Sequence, residues 1–175
     1  MNSFAGKNDS SSSSEFEENL AILREIYFFS ELPLETLKVL AYLATREQFR
    51  AGDDLFHQED DDGQAFYIIS GEARLLREGG DDLVELREFP QGAFLGSLAL
   101  LGNARRLFSL QARTDMDCLV LTREKFSRAL ARFPGIAPQV LQTLVNSIHS
   151  WERRSLSDVE EGSPTYPRLV GVSLL

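Results

Sequence analysis

The 175 residues suffice for one domain with tails or for two small ones, and the 43% hydrophobic and 26% charged content is that of a globular chain. A single cysteine, Cys118, excludes an internal disulfide framework and a multi-cysteine metal centre, and suits a reducing compartment. Against 27 Asp and Glu stand 18 Lys and Arg, a net charge of −9 whose field opposes nucleic-acid phosphates, and no apolar run approaches a membrane span or a secretory signal core.

Residues 1–16, with five serines in a row at Ser10–Ser14, are expected to form a disordered tail, and 17–156 the folded body. Leu20, Leu23, Ile26 and Tyr27 recur at helical spacing. Pro33 suits a helix start, and Leu34, Leu37, Leu40, Ala41 and Ala44 continue that helix. From 45 to 122 the text changes to short runs separated by glycine or acidic turns, the pattern of a sandwich or barrel. The expected strands are 46–50, 55–58, 65–70, 72–77, 83–89, 107–113 and 118–122. Gly71 and the cluster Gly79-Gly80-Asp81 mark turns. Phe126, Ala129, Leu130 and Phe133 predict a helix over 123–133 that Pro134 ends. A last helix over 138–153 carries the stripe Leu141, Leu144, Val145, Ile148 and Trp151, read as core packing or as a dimer seam or lid, with room for both on opposite edges. Residues 157–175, punctuated by Gly162, Pro164, Pro167 and Gly171, read as a C-terminal tail or a surface arm.

Several chemistries find no support. No P-loop is present, and Gly96-Ser97 lacks the surroundings of a nucleophile elbow. His57 and His149 form no metal pattern. Asp53, Asp54, Glu59, Asp60, Asp61 and Asp62 invite a calcium loop, yet with Gly63 as the loop glycine the bidentate position falls on Ile69. The run is therefore expected to be a solvated turn between strands, with weak cation binding as the alternative. No enzymatic activity is expected.

One segment, Gln91 to Arg106, carries more information. A strand ends near Leu95, Gly96 opens backbone conformations closed to other residues, and Ser97 is a suitable N-cap. Leu98–Leu101 allows one helical turn, which Gly102-Asn103 can end. Free N–H groups at that turn and the planar guanidinium of Arg106 make a small anion site, the alternative being a surface turn with an unrelated arginine.

This segment resembles the phosphate-binding cassette of the cyclic nucleotide-binding domain, the family of the catabolite activator protein and of the regulatory subunits of cyclic-AMP-dependent protein kinase. That cassette reads roughly F-G-E-[hydrophobic]-A-L-L, a spacer, then P-R and two small residues. Other pieces stand in the same order: Phe29-Ser30-Glu31-Leu32-Pro33, the turn Ala51–Asp60, the strand pair Phe66-Tyr67-Ile68-Ile69-Ser70-Gly71-Glu72-Ala73, and Cys118–Phe126. The resemblance spans about residues 28–133. It implies a mainly β fold with flanking α-helices, a jelly-roll-type barrel over about 45–122.

The resemblance also implies roles. Arg106 pairs the cyclic phosphate, with Gly96 and Leu98 beside it. Ser97 stands where the family has the glutamate that accepts from the ribose 2′-hydroxyl. Arg105 replaces the family's proline, and Leu107 and Phe108 replace the two small residues near phosphate and base, followed by Ser109. Gly71 and Glu72 are expected by the sugar–phosphate, and Trp151 to stack on the base as a lid. The implied function is a stand-alone cytoplasmic regulatory module that binds a cyclic nucleotide, cAMP before cGMP, and signals by moving helices 123–133 and 138–153. It would act through a protein effector and a homodimer seam on 138–153, with no bound cofactor, metal, membrane or nucleic acid. The residues after the last helix are too few for a helix-turn-helix, and the single-domain layout suggests a bacterium. Two other readings stand beside it: an interaction scaffold with a vestigial pocket, and a relative tuned to another effector, an apolar acid or haem with His57 as ligand.

Overall fold

The computed structural model describes residues 7–79, 82–133 and 135–160. Helix α1 (Lys7–Glu25) passes through a 3-10 turn (Tyr27–Phe29) into α2 (Leu34–Leu43). The strands follow: β1 (Thr45–Phe49), β2 (Asp54–Phe56), β3 (Gln64–Ser70), β4 (Ala73–Gly79), β5 (Asp82–Phe89) and β6 (Phe94–Leu95). A one-turn helix, α3 (Ser97–Leu101), separates them from β7 (Ser109–Ala112) and β8 (Met116–Thr122). Helices α4 (Arg123–Arg132) and α5 (Ala137–Glu160) close the described chain.

Two antiparallel four-stranded sheets result, ordered β1-β8-β3-β6 and β2-β7-β4-β5. The near-continuous apolar text of β3 and β8 has a simple cause: their sheet is covered on both faces. Alternation sends Phe66, Ile68, Cys118 and Val120 toward the second sheet, where they meet Phe56, Leu75 and Leu110. It sends Ala65, Tyr67, Leu119 and Leu121 toward the helices, where Leu23, Phe29, Leu40 and Phe126 cover them. Phe28, Phe29, Phe94 and Phe126 interlock there with centroid separations of 5.0–6.2 Å, tying the 3-10 turn, β6 and α4 together. The expected β architecture with flanking helices is what the chain adopts.

Several element boundaries differ from the expectation. The serine-rich start is helical from Lys7, in place of a tail to residue 16: Leu20 and Leu23 anchor α1, and each further turn adds hydrogen bonds without the cost of a new nucleus. Tyr27 leaves the stripe of Leu20, Leu23 and Ile26, because α1 stops at Glu25 and the 3-10 turn leaves Tyr27 55% exposed. The two-residue β6 is the strand expected to end near Leu95, held by the register Phe66↔Leu95 and Tyr67↔Phe94. The last helix runs on to Glu160, past the expected tail boundary; Pro134 and residues 161–175, including the apolar end Leu169 to Leu175, lie outside the described residues. Along α5, Val140 and Thr143 are buried and Leu144 packs on the helix-side core, while Leu141, Val145 and Ile148 are exposed. One edge of the stripe is thus core and the other is open surface.

Candidate functional site

Two backbone hydrogen bonds fix the stretch before β7. The Arg106 N–H donates to Asp60 O and the Glu59 N–H donates to Arg106 O, both at 2.8 Å. Extended chain then alternates: Arg106 turns inward, Leu107 outward at 56% exposure, and Phe108 inward onto the core between the sheets. Leu107, expected near the phosphate, is exposed on the side opposite Arg106.

Among the described residues Arg106 is the one buried charged side chain, 5% exposed. Its Nε and Nη2 donate to the two oxygens of Asp62 at 2.8 and 3.0 Å. Nη2 also donates to Gln64 O, and Cζ stands 4.0 Å from the centroid of the Phe56 ring. A guanidinium in apolar surroundings needs a counter-charge. Here the chain provides one, in the forked geometry that also matches two phosphate oxygens. Gly96 closes the other side. Its φ is +90°, and a Cβ there would stand 2.7 Å from Nη1 of Arg106 and 2.8 Å from Gln64 O, so strain and space both demand glycine.

The acidic run is the exposed turn that was expected at Asp53, Asp54, Glu59, Asp60 and Asp61, and three of its members, Glu59, Asp61 and Asp62, also pair with arginines. Asp62 holds Arg106, and Glu59 reaches Arg105 at 3.4 Å on the surface. Asp61 pairs with Arg123, whose hydrogen bond holds the Asp61 carboxyl below its usual range. Arg123 also donates from Nε to Ala99 O at 2.7 Å and from Nη1 to Asn103 Oδ1 at 2.9 Å. It therefore fastens the α3 segment to the start of α4. Sequence reasoning missed Asp62, Asp61 and Arg123; the one signal was an acidic run in a chain that also carries the pair Arg105-Arg106.

Ser97 is not the N-cap. Gly96 occupies that position and Ser97 is the first helical residue, 0% exposed, with no hydrogen-bond partner for its Oγ. Helix α3 is five residues long, so the anion chemistry rests on Arg106 rather than on a helix end. Leu98 is half-buried. Ser109 is buried and its Oγ accepts from the Gln58 N–H at 2.9 Å. Gly71 and Glu72 do not join the cluster. They follow the far end of β3, whose near end is Gln64, roughly 20 Å away at about 3.3 Å per residue. There Gly71 packs against Asp115 and Met116, and Glu72 is exposed with its N–H on Thr114 Oγ1 at 3.0 Å. His57, the haem ligand candidate of the alternative reading, is on the surface with its side chain 61% exposed. Trp151 falls on α5, and its side chain lies outside the described residues. Burial pushes the Cys118 thiol up to about 12, which keeps it protonated and unreactive. Among the described residues no group of three or more His, Cys, Asp or Glu converges as metal ligands, and no helix is long and apolar enough to cross a membrane.

Comparison with known proteins is consistent across sequence and structure. The model of the cyclic nucleotide-binding domain matches residues 46–133. The cAMP-dependent protein kinase regulatory subunit of Emericella nidulans is 37% identical over 118 residues, 66% of this chain and 28% of that protein. The chain thus spans less than a third of that relative's length. Similar regulatory subunits come from the fungi Hypocrea atroviridis and Colletotrichum orbiculare, so the expected bacterial source gains no support from them. A cyclic nucleotide-binding-like protein from Brucella abortus aligns with a TM-score of 0.61 at 31% identity, covering 65% of this chain and 98% of that one. The catabolite activator protein of Thermus thermophilus shares the fold, with a TM-score of 0.61 at 24% identity over 77% of this chain and 62% of that one.

Proposed function

The chain belongs to the cyclic nucleotide-binding domain family, and from that premise we propose that it is a regulatory module which takes a cyclic nucleotide, cAMP before cGMP, against Arg106. One observation carries the reading: a buried, forked guanidinium whose counter-charge is the side-chain carboxylate of Asp62. A cyclic phosphate offers the same two-oxygen geometry as that carboxylate. It would exchange for Asp62 on the fork, with Gly96 closing the opposite side of the guanidinium. No catalytic step is part of the proposal.

Transmission would run through Arg123. It joins Ala99 and Asn103 of the cassette to the first residue of α4, so a shift of residues 97–106 is felt where the C-terminal helices begin. The ligand supplies a signal only through its different affinity for the two arrangements. The exposed edge Leu141, Val145 and Ile148 of α5 is the seam we assign to a second copy of the chain, which sedimentation would report as a dimer.

Calorimetric titration with cAMP and cGMP tests the reading. Saturable binding is expected in the wild type, with cAMP the tighter. Arg106→Lys keeps the charge but loses the fork, and should weaken binding by at least tenfold. A folded wild type that gives no heat at millimolar nucleotide sinks the reading. It would favour the second one, an interaction scaffold with a vestigial pocket, which Phe108 in the inter-sheet core and the missing carboxylate at Ser97 support.

A further inference from the structure

The first sheet has a second face, and near β6 its helical cover is incomplete. A cavity of about 360 Å³ lies there, lined by Glu25, Ile26, Phe28, Tyr67, Phe94 and Ser97. It is not the space between the sheets. Tyr67 and Phe94, paired in register, belong to the helix-side core, whereas their neighbours Phe66 and Leu95 point into the core between the sheets. Arg106, with Phe56 under its guanidinium, belongs to that inner side.

The cavity has the make-up of a small-molecule site: a volume within the roughly 300–1,000 Å³ such sites occupy, a mostly apolar lining and a few polar groups. Four aromatic side chains line it, Tyr27 with Phe28, Tyr67 and Phe94, and the rings of Phe28 and Phe94 are 6.2 Å apart. Ser97 is fully buried and its Oγ lacks a partner within the protein. A buried hydroxyl is normally hydrogen-bonded, so this one calls for an outside partner. Glu25, the exposed last residue of α1, sets a carboxylate at the rim. It lies close enough to Tyr67 to add to the rise that burial imposes on the phenol. Carboxylate, electron-rich ring faces and a chain of charge −9 all favour a cation over an anion.

We propose that this cavity is a second ligand site, built for a small aromatic amine. The ring lies among Phe28, Tyr67 and Phe94, the ammonium faces Glu25, and a ring N–H or hydroxyl meets Ser97 Oγ, which binding has to uncover because it is closed to solvent in the free chain. No existing role of Arg106 is needed for it, so it stands apart from the cyclic nucleotide reading.

Tryptamine is a suitable probe, since it carries an indole ring, an N–H and an ammonium. The full chain is titrated by calorimetry and followed by thermal unfolding. Saturable one-to-one binding with a Kd below about 1 mM and a raised Tm are expected. Glu25→Gln, an exposed change that leaves the core intact, should weaken tryptamine about tenfold and leave cAMP binding as it was. Ser97→Ala should weaken tryptamine by a few-fold. Arg106→Lys, which weakens cAMP, should leave tryptamine unaffected, so the two readings fail separately. Indole-3-acetate, the same ring with a carboxylate, should not bind. Equal binding of the amine and the acid, no binding of tryptamine at millimolar concentration, or indifference to both Glu25→Gln and Ser97→Ala would overturn the proposal.

Discussion

Arg106 and Ser97 bracket one short segment, both are buried, and the chain treats them in opposite ways. Arg106 has a forked carboxylate, a backbone carbonyl and an aromatic face; Ser97 Oγ has no partner. Magnitudes account for the difference. An unpaired buried hydroxyl costs about 1–3 kcal/mol, which a domain can carry, whereas an uncompensated buried charge costs about 3–5 kcal/mol. The folded chain therefore has to neutralise its arginine from within and can leave its serine open. The two proposed sites would differ accordingly: at Arg106 a ligand would displace a resident anion, and at Ser97 it would complete what the fold leaves unfinished.

The largest expected effects come from breaking the Arg106 pair. Arg106→Ala leaves Asp62, only 17% exposed, without its partner and opens a hole above Phe56. A loss of about 3 kcal/mol is expected in urea unfolding. Asp62→Asn should destabilise less, because Gln64 O and the Phe56 face still hold the guanidinium. Its sharper consequence concerns the ligand. With the competing carboxylate gone, the binding-competent fraction rises and the apparent Kd falls in proportion. Asp62→Asn should bind cAMP at least about tenfold more tightly than the wild type. Binding no tighter would mean that Asp62 is not displaced, and the contrast with Ser97 would collapse.

The Ser97 side of the comparison predicts a smaller effect of unusual sign. Removing a hydrogen-bonded buried hydroxyl destabilises, but removing an orphan relieves a penalty. Ser97→Ala is expected to leave stability unchanged or raise it by up to about 1 kcal/mol. A loss of that size would reveal a partner for Oγ. Ser97→Glu restores the residue that the family resemblance places here. It should lower the stability of the free protein, since it buries an unpaired carboxylate.

Much of this was legible in the sequence, and the rest was not for definable reasons. Strands β3 and β8 announce themselves because burial on both faces leaves nearly unbroken apolar runs, and Gly96 and Arg106 stand out from their motif. The pairing of Arg106 with Asp62 joins residues 44 apart, and six acidic residues in that run competed for it on equal terms. Position within a turn decided the choice, and spacing alone does not encode it. Ser97 was read as an N-cap because serine favours that place, yet the left-handed Gly96 takes it, which no propensity ranking separates. Leu107 and Phe108 looked alike as bulky replacements; only the inward turn of Arg106 decides which of them faces the core. Gly71 and Glu72 matched a family motif but sit at the wrong end of β3, a matter of strand length rather than residue type.

The smallest expected effect tests the link between the cassette and α4. Asp61 is held below the usual carboxylate range chiefly by the Arg123 hydrogen bond. A carboxyl whose folded pKa is depressed contributes stability that is complete above its unfolded value, about 3.9, and is lost as pH falls through the folded value. Asp117, held by Gln48 and Ser70, and Glu18, held by Arg46, act with the same sign, so the chain should lose stability steadily in acid. Asp61→Asn removes one of the three contributions. Its Tm should lie slightly below that of the wild type at pH 6, and the two curves should draw together as pH falls below the unfolded value of about 3.9. The pair is solvent-exposed and screened by salt, so the gap should also narrow at high ionic strength. Curves that stay parallel to pH 3 would show that Arg123 does not hold Asp61 in solution. The cassette would then be tied to α4 by Ala99 and Asn103 alone, and Arg123→Lys, which cannot span both of those acceptors, would become the variant that separates ligand binding from movement of the C-terminal helices.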